Sequence, residues 1–552
     1  MRVRTLPSDR TTKTFMNRGQ SELPGSVGDD RPRAAPWQQG PSIYAHILQH
    51  LDPQTQRLRP SGETLPDEAH SASHHRLRWV AGGKDGVLSS HTRGDAGPEQ
   101  AERIVTLLTS IAMTNAADAQ QALYALLVAD DLRSYIDEVI RRLHAAPIPL
   151  YPHVHRFARM LVEDAPDRGP LKFAIALLGM CGEPLDAPLI GTLGRHEEFT
   201  LYAAVALTRL LDDPQPALWE LAQAVNGWGR IHLVERLAKH PSPPLQAWLL
   251  REGFRNRIMD EYLAYICATA GDLRTALAPA TVDDALLDGA AGLIDALISG
   301  GPARDMDDYA DAALVIAAYL RHVQVSTPRL EHFVVVGAIT RYLSRASWSS
   351  AARAANGWTD DGRMAAIEQA AAIIAAPHWP HLIDAGLAAS DDTTFRRANR
   401  AARQLGLDIW QVHWERLQTR SLNSECWSYV MQGATATNIA AIVDYARAVL
   451  PLEQIAAAPR RQRGFGSMLP VDSCLVTIVG ALATFPGIGW PLIVAALQCP
   501  AVPTRRIAIK TLQQWRPVFW NAEIDAVLKV AREREPLERV QADLDALLTN
   551  QE

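Results

Sequence analysis

The chain has 552 residues, of which 47% are hydrophobic and 21% charged, and its formal net charge is −6. This apolar content is ample for a packed core, and the mild charge argues against the strongly basic surface of a nucleic-acid-binding domain. The five cysteines are far apart and form no CxxC pair, so they predict buried thiols of a reducing compartment, with neither a disulfide framework nor a zinc site.

Residues 1–41 are rich in Arg, Ser, Gly, Pro and Asp and show no hydrophobic periodicity. This composition predicts a disordered extension. The first residues contain no apolar segment of the kind found in a secretory signal, so we expect a cytoplasmic protein. Met16 is an alternative start to Met1.

Residues 42–97 predict a small, irregular capping segment. "SIYAHILQHLD" is typical of a short helix, and "LRWVAGGKDGVLSSH" places two short apolar pieces around a Gly-rich turn, which is compatible with a hairpin. The lysine in "AGGKDG" resembles that of a phosphate-binding loop, but the motif GxxxxGK[ST] is absent, so a turn is favoured.

Residues 98–552 alternate between helix and short break. Four helix starts, at Leu171, Leu201, Ile231 and Met259, can be superimposed with spacings of 30, 30 and 28 residues. Shorter helical pieces lie between them, so each unit is a pair of helices with one buried stripe per helix. Such a pair cannot bury its stripe alone, and neighbouring pairs must therefore stack into an all-α solenoid.

The segment "NGWGRIHLVERLAKH", residues 226–240, has two interpretations. In the first it is a joint between repeats, where Asn226 and Gly227 end one helix in a left-handed cap. The next helix then carries an apolar stripe of Trp228, Ile231, Val234 and Leu237. In the second, Arg230 and His232 lie near a helix N-terminus and bind an anion or a substrate group.

Arginines supply another candidate site. Arg396, Arg400 and Arg403 are four and three residues apart, on one helical face, and Arg460, Arg461 and Arg463 precede "GFGSMLP". If the repeats bring them together, they form an anion-binding surface such as helical-repeat DNA glycosylases use. A solvated helix face is the alternative, and the overall acidity counts against nucleic acid.

No charged residue occurs from Ser473 to Thr504. "FPGIGWP", residues 485–491, divides this stretch into pieces too short to cross a bilayer, which predicts a buried helical hairpin and no membrane span.

Two segments resemble HEAT repeats, whose second helix combines an early basic residue with small residues and a leucine. In residues 393–408 these are Arg396, Ala398, Ala401, Ala402 and Leu405, and in residues 503–515 they are Arg505, Ala508 and Leu512. The resemblance implies a solenoid of HEAT-like helix pairs, and it bears on fold much more than on function.

A narrower resemblance rests on "IYAHILQHLDPQTQRL", "LPDEAHSASHHRLRWVAGGKDGV" and "GWGRIHLVERLA" taken in this order. Together they are similar to a group of bacterial helical-repeat proteins, some of which carry the name limonene hydroxylase. The name implies an oxidoreductase that acts on an apolar terpene, which normally needs an oxygen-activating cofactor.

The sequence contains no complete motif for such a cofactor. Cys181 comes nearest to the haem-ligand pattern FxxGxxxCxG, but Ala176 replaces its first glycine and Cys181 lies one residue too far from Phe173. ExxH, HExxH and GxSxG are absent. "GWGRIH" and "GFGSML" each have only two glycines of GxGxxG. The histidine groups His74 with His75, His153 with His155, and His378 with His381 would each need distant partners to bind a metal. We therefore predict no cofactor and no metal site.

The first hypothesis is a non-catalytic scaffold that binds a protein or peptide on its concave surface. The predicted contact residues are Arg230, His232, Arg396, Arg400, Arg403 and Arg505. Of the fourteen tryptophans, most are expected to fill gaps between repeats, and any exposed ones could anchor the partner. The alternatives are the terpene oxidoreductase and, third, an enzyme that modifies nucleic acid or a tetrapyrrole. The sequence does not give the oligomeric state.

Overall fold

Helices dominate the part of the chain that the structure describes. The computed structural model describes residues 37, 40–68, 77–86, 97–129, 131–145, 152–459, 463–465 and 470–549. Two three-residue strands are the only β-strands longer than an isolated bridge in these ranges. The predicted disordered extension, residues 1–41, lies almost wholly outside the described residues, as do His74, His75, Arg460 and Arg461.

The helices before residue 250 are, in chain order, α1 (Ile43–His50), α2 (Pro98–Thr114), α3 (Ala117–Ala129), α4 (Ile136–Ala145), α5 (His153–Asp164), α6 (Arg168–Cys181), α7 (Ala187–Gly194), α8 (Glu197–Leu210), α9 (Gln215–Ala224), α10 (Trp228–Leu237) and α11 (Pro243–Trp248).

The later helices are α12 (Glu261–Ala270), α13 (Leu273–Ala276), α14 (Asp284–Ser299), α15 (Ala312–Val325), α16 (Leu330–Leu343), α17 (Asp360–Ile374), α18 (Trp379–Leu387), α19 (Asp392–Gln404), α20 (Trp410–Thr419), α21 (Ser424–Gln432), α22 (Ile439–Val449), α23 (Leu452–Ile455), α24 (Pro470–Ala481), α25 (Trp490–Leu497), α26 (Val502–Trp515), α27 (Ala522–Arg534) and α28 (Glu538–Thr549).

Local sequence signals fix many helix starts. The side chains of Asp283, Asp391 and Asn521 each accept a hydrogen bond from the backbone N–H three residues later, at the first turns of α14, α19 and α27. A side chain of this type satisfies one of the N–H groups that a helix start leaves without a partner. Proline occupies the first turn of α2, α9, α25 and α26, where no hydrogen bond is lost.

The predicted pairing of helices is confirmed. Helices α6, α8, α10 and α12 begin at residues 168, 197, 228 and 261, and each packs on the next in this series. The intervening helix α7 packs on α8, and α9 packs on α10. The series continues from α12 through α14 and α16 to α19, and later from α21 through α24 and α26 to α28. Each pair therefore buries its apolar stripe against its neighbours.

The buried side chains form two hydrophobic cores that meet at α19. The first core runs from Ile43 to Ile409 and includes Ala401 and Ala402, whereas the second runs from Phe395 to Leu547. Helix α19 therefore contributes side chains to both cores.

The uncharged stretch from Ser473 to Thr504 forms the predicted helical hairpin. Helices α24 and α25 pack together, and between them Gly487 and Gly489 adopt φ angles of 82° and 79°. Glycine reaches this left-handed region at little cost, which explains the "FPGIGW" turn. Among the described residues, none of the helices combines the length and apolar character that crossing a bilayer requires.

The capping segment differs in part from its prediction. The short helix is present as α1, which packs on α5 and α7. The strand β1 (Leu77–Trp79) pairs in parallel with the distant β2 (Arg463–Phe465) instead of forming a local hairpin. Residues 83–86, just after β1, are helical, and residues 87–96 lie outside the described residues.

Candidate partner-binding surface

Helix α19 carries the predicted arginines on its solvent-exposed side. Arg396, Arg400 and Arg403 are exposed, and the neighbouring Arg397 is half-buried. Arg341, at the end of α16, is exposed beside them, and it lies close enough to Arg400 for the two charges to repel each other. We call these five residues the arginine face.

Two ion pairs tie the arginine face to the preceding helices. Arg400 donates two hydrogen bonds to the carboxylate of Asp295 on α14, at 2.5 and 2.6 Å, and Arg397 contacts Glu331 on α16 at 2.8 Å. Because α16 lies between α14 and α19, the Arg400–Asp295 pair crosses the outer side of α16. A two-point contact fixes the plane of the guanidinium as well as its position.

Among the described residues, some arginines of this face have no carboxylate at hydrogen-bond distance. Neither Arg341 nor Arg396 forms a hydrogen bond or an ion pair within the described part of the chain. Arg403 lies over the ring of Tyr429 on α21, with 5.1 Å between the guanidinium carbon and the ring centre. These three guanidinium groups therefore keep their hydrogen-bond donors open to an anionic partner, although Asp295 lies near Arg341 and Asp392 lies near Arg396.

Arg403 rests on a half-buried tyrosine that stacks on a buried histidine. The ring of Tyr429 stacks on that of His413, with 4.0 Å between centres and an interplanar angle of 10°. Nε2 of His413 lies 3.1 Å from Oδ1 of Asn399. Burial, helped by the charges of Arg416 and Arg403, lowers the pKa of His413 to about 4. The imidazole is therefore neutral at pH 7 and does not add to the charge of the face.

A second polar group lies beneath Glu331. The hydroxyl of Tyr319 is 3.0 Å from Nδ1 of His332, and Nε2 of His332 is 3.4 Å from the carboxylate of Asp288. Burial lowers the pKa of His332 to about 4. The pKa of Glu331 is raised, chiefly by burial, while the charge of Arg397 opposes the rise. The nearby carboxylate of Asp288 adds to this rise.

The joint at residues 226–240 already contains an anion, which is the carboxylate of Glu197 at the start of α8. It accepts hydrogen bonds from the backbone N–H groups of Asn226, Gly227 and Gly229, at 2.9, 2.5 and 2.7 Å. The predicted left-handed cap is wrong, because Gly227 has φ −114° and ψ −137°. The stripe on α10 is confirmed, because all of its predicted members are buried: Trp228, Ile231, Val234 and Leu237.

Arg230 and His232 are not available to a partner. Arg230 is 6% exposed, donates to the carbonyl of Glu252 at 2.6 Å, and lies over the ring of Trp248. His232 is 7% exposed. Both side chains pack inside the joint, which corrects their predicted role as surface contacts.

Arg505 is a core residue and also departs from the prediction. It is 1% exposed, and its guanidinium contacts both carboxylate oxygens of Glu535, at 2.6 and 3.0 Å. It also donates to the carbonyls of Cys499 and Pro500. Its position matches the HEAT-like pattern, but its role is to join α26 to the segment before α28.

The "AGGKDG" segment is held by acidic and basic side chains of the helical stack. Lys84 contacts Asp131 at 3.0 Å, and Asp85 contacts the buried Lys172 at 2.7 Å. Gly82 has a φ of 69°, and an added Cβ would lie 2.6 Å from the carbonyl oxygen of Glu197. Residues 81–82 form a turn as predicted, whereas Lys84 lies in the short helical stretch that follows and forms an ion pair within the chain.

The histidines and cysteines of the described ranges do not gather into a metal site. Nδ1 of His153 is 3.0 Å from the carbonyl of Ala112, and His155 contacts Asp186 at 2.8 Å. His378 packs against Trp379. A set of three or more potential metal ligands does not occur among the described residues. All five cysteines have free thiols.

Comparison with known proteins adds little to this description. Neither a known protein family nor a curated protein matches the chain. One solved structure, described as an engineered protein, is 16% identical over 82% of this chain and 98% of its own, with a TM-score of 0.23. A likeness this low carries no argument about fold or function.

Sequence reasoning missed the residues that surround the predicted arginines. Asp295, Glu331, Arg341 and Tyr429 come from three other helices, and Asp295 is 105 residues from Arg400. The only signal in the sequence is that acidic and aromatic residues occur on helices that stack beside α19.

Proposed function

We propose that the chain is a helical-repeat scaffold of HEAT-like pairs stacked as a solenoid, and that it binds an acidic protein or peptide on the arginine face. The observation that supports this function best is the set of exposed guanidinium groups of Arg341, Arg396 and Arg403, which form no hydrogen bond or ion pair with a carboxylate in the described ranges. Arginine is enriched at the centres of protein interfaces and binds carboxylates with directional hydrogen bonds.

The surrounding contacts support this function because they order several arginine side chains before a partner binds. Arg397 and Arg400 are already held by Glu331 and Asp295, and Arg403 rests on Tyr429. Binding to these ordered side chains therefore costs less conformational entropy than binding to arginines that rotate freely. Electrostatic attraction would also make association faster and sensitive to salt.

The test is capture of a partner from lysate with the double variant Arg396→Glu/Arg403→Glu. Arg209→Glu/Arg539→Glu is the matched control, because both arginines are exposed on other helices, α8 and α28, and the change in charge is the same. We expect the first variant to lose the partner and the control to keep it. Equal capture by both variants would contradict the proposal.

The identity of the captured molecule distinguishes a protein partner from a nucleic acid. A protein cross-linked through position 396 and released as salt is raised supports the proposal. Captured nucleic acid, with affinity that falls steeply and linearly with the logarithm of salt concentration, would replace it. The terpene oxidoreductase stays a prediction of the resemblance, and a stoichiometric haem, flavin or iron signal in the purified protein would favour it.

A further inference from the structure

A cavity of about 470 Å³ opens near the C-terminal end of the chain. Its walls are residues 456–459 after α23, the end of α25 at Leu497 and Gln498, and one side of α27. Sites for small molecules commonly have volumes of roughly 300–1,000 Å³. The cavity is therefore large enough for a small organic ligand.

The described residues of the lining are apolar except for Gln498 and Arg534. Ala526, Val527 and Val530 of α27 line the cavity, and Val530 is 44% exposed although it is a large apolar side chain. Gln498 adds a neutral amide, and Arg534 in the last turn of α27 is the only charged residue among the described residues that line the cavity. A ligand that matches these walls has an apolar body and one anionic end.

Arg534 differs from the other arginine at the end of this helix. Arg532 contacts both carboxylate oxygens of Asp545, at 2.9 and 3.2 Å. Arg534 is exposed and forms no hydrogen bond or ion pair in the described part of the chain. Its guanidinium is therefore free to bind an anion at the edge of the cavity.

The opposite wall includes an unusual backbone conformation. Ala458 has a φ of 90°, a region that residues with a Cβ rarely adopt. Strained residues of this kind often lie beside ligand sites, where the surrounding structure holds them. Ala458 is one of the residues that define the shape of the cavity.

We propose that this cavity binds an amphipathic carboxylate of the fatty-acid class. The alkyl chain packs against Val527 and Val530, and the carboxylate receives hydrogen bonds from Arg534. The site is separate from the arginine face and does not depend on the proposed scaffold function.

The test compares decanoate with decanol by isothermal titration calorimetry on the full-length protein. The two ligands share an alkyl chain and differ in charge. We expect saturable binding of decanoate at about tenfold higher affinity than decanol, because a hydrogen bond to a charged group discriminates by roughly this factor. Arg534→Gln should remove the preference for decanoate, whereas Arg532→Gln should retain it.

A second pair of variants tests the location. Ala526 and Lys529 are both exposed on α27, but only Ala526 lines the cavity. Ala526→Trp should abolish binding of both ligands, and Lys529→Trp should leave it unchanged, with thermal unfolding confirming that both variants fold. The proposal is overturned if the native chain binds no decanoate, if Ala526→Trp binds it normally, or if Arg534→Gln keeps the full preference.

Discussion

Replacing Glu197 by glutamine tests how the joint between α8 and α10 is held. Three backbone N–H groups, from Asn226, Gly227 and Gly229, converge on this carboxylate. One of its oxygens accepts two of them and the other accepts the third. Glutamine keeps the shape of the side chain but has only one oxygen acceptor, and its amide nitrogen is a donor. At least one N–H group therefore loses its partner.

The size of the effect follows from these contacts. Hydrogen bonds to a charged group contribute roughly 1.5–3 kcal/mol, and a buried donor without a partner costs roughly 1–3 kcal/mol. Two hydrogen bonds are retained with a neutral acceptor, so we expect a local destabilisation of about 2–3 kcal/mol. This corresponds to an increase of roughly 30- to 150-fold in the opening equilibrium.

Hydrogen–deuterium exchange measured by mass spectrometry is the appropriate assay, since it reports opening in one segment of a large chain. Exchange in a peptide spanning residues 222–232 should accelerate by the factor given above. Glu220→Gln is the matched control, because Glu220 is 69% exposed and forms only a surface ion pair with Arg195. Such pairs contribute roughly 0–1 kcal/mol.

The reasoning fails if Glu197→Gln leaves exchange in residues 222–232 at the native rate. It also fails if the acceleration equals that of Glu220→Gln, or if exchange rises uniformly along the chain. A uniform rise would mean that the carboxylate affects global stability and does not specifically anchor the joint.

Three further perturbations have defined outcomes. Glu535→Gln should destabilise the second core by about 3–5 kcal/mol because it leaves Arg505 charged and buried. The double variant Arg505→Met/Glu535→Leu should recover most of this loss in urea unfolding followed by tryptophan fluorescence. Equal stability of the single and double variants would contradict this. Burial lowers the pKa of His196 from 6.5 to about 4. The unfolded chain therefore binds a proton more readily than the folded chain. The free energy of unfolding should fall by up to about 3 kcal/mol as the pH decreases from 6.5 to 4, and His196→Gln should flatten this part of a profile of urea midpoint against pH. An unchanged profile would argue against a neutral, buried imidazole. Ala458→Gly should raise the free energy of unfolding by about 1 kcal/mol in urea titrations, because glycine adopts positive φ without strain; a decrease would show that the methyl group packs favourably.

Sequence reasoning succeeded where structure depends on neighbours within one or two helices. The spacing of apolar residues predicted the paired helices α6 to α12, and the glycines at 487 and 489 predicted the turn of the later hairpin. These features follow from the helical period and from backbone sterics, both of which are visible in a short window of sequence.

The same reasoning failed where a partner is distant. Gly227 does not adopt the left-handed conformation, because its N–H group donates a hydrogen bond to Glu197, which lies 30 residues earlier. Arg505 matches the HEAT-like pattern, yet it is a buried residue that donates hydrogen bonds to Glu535, which lies 30 residues later. Arg396, Arg400 and Arg403 were correctly placed on one exposed face, but the order that Asp295 imposes on it needs the stacked helices.

Helix α19 packs in both hydrophobic cores and also carries most of the arginine face. Its Phe395 belongs to the second core and its Ala401 and Ala402 belong to the first, while its outer side carries Arg396, Arg400 and Arg403. If bending between the two cores shifts this helix relative to α16, the spacing of its arginines from Arg341 changes as well. A ligand that binds one spacing more tightly would then shift the equilibrium between bent and straight forms. Because such coupling is reciprocal, a force that bends the chain would change its affinity for that ligand.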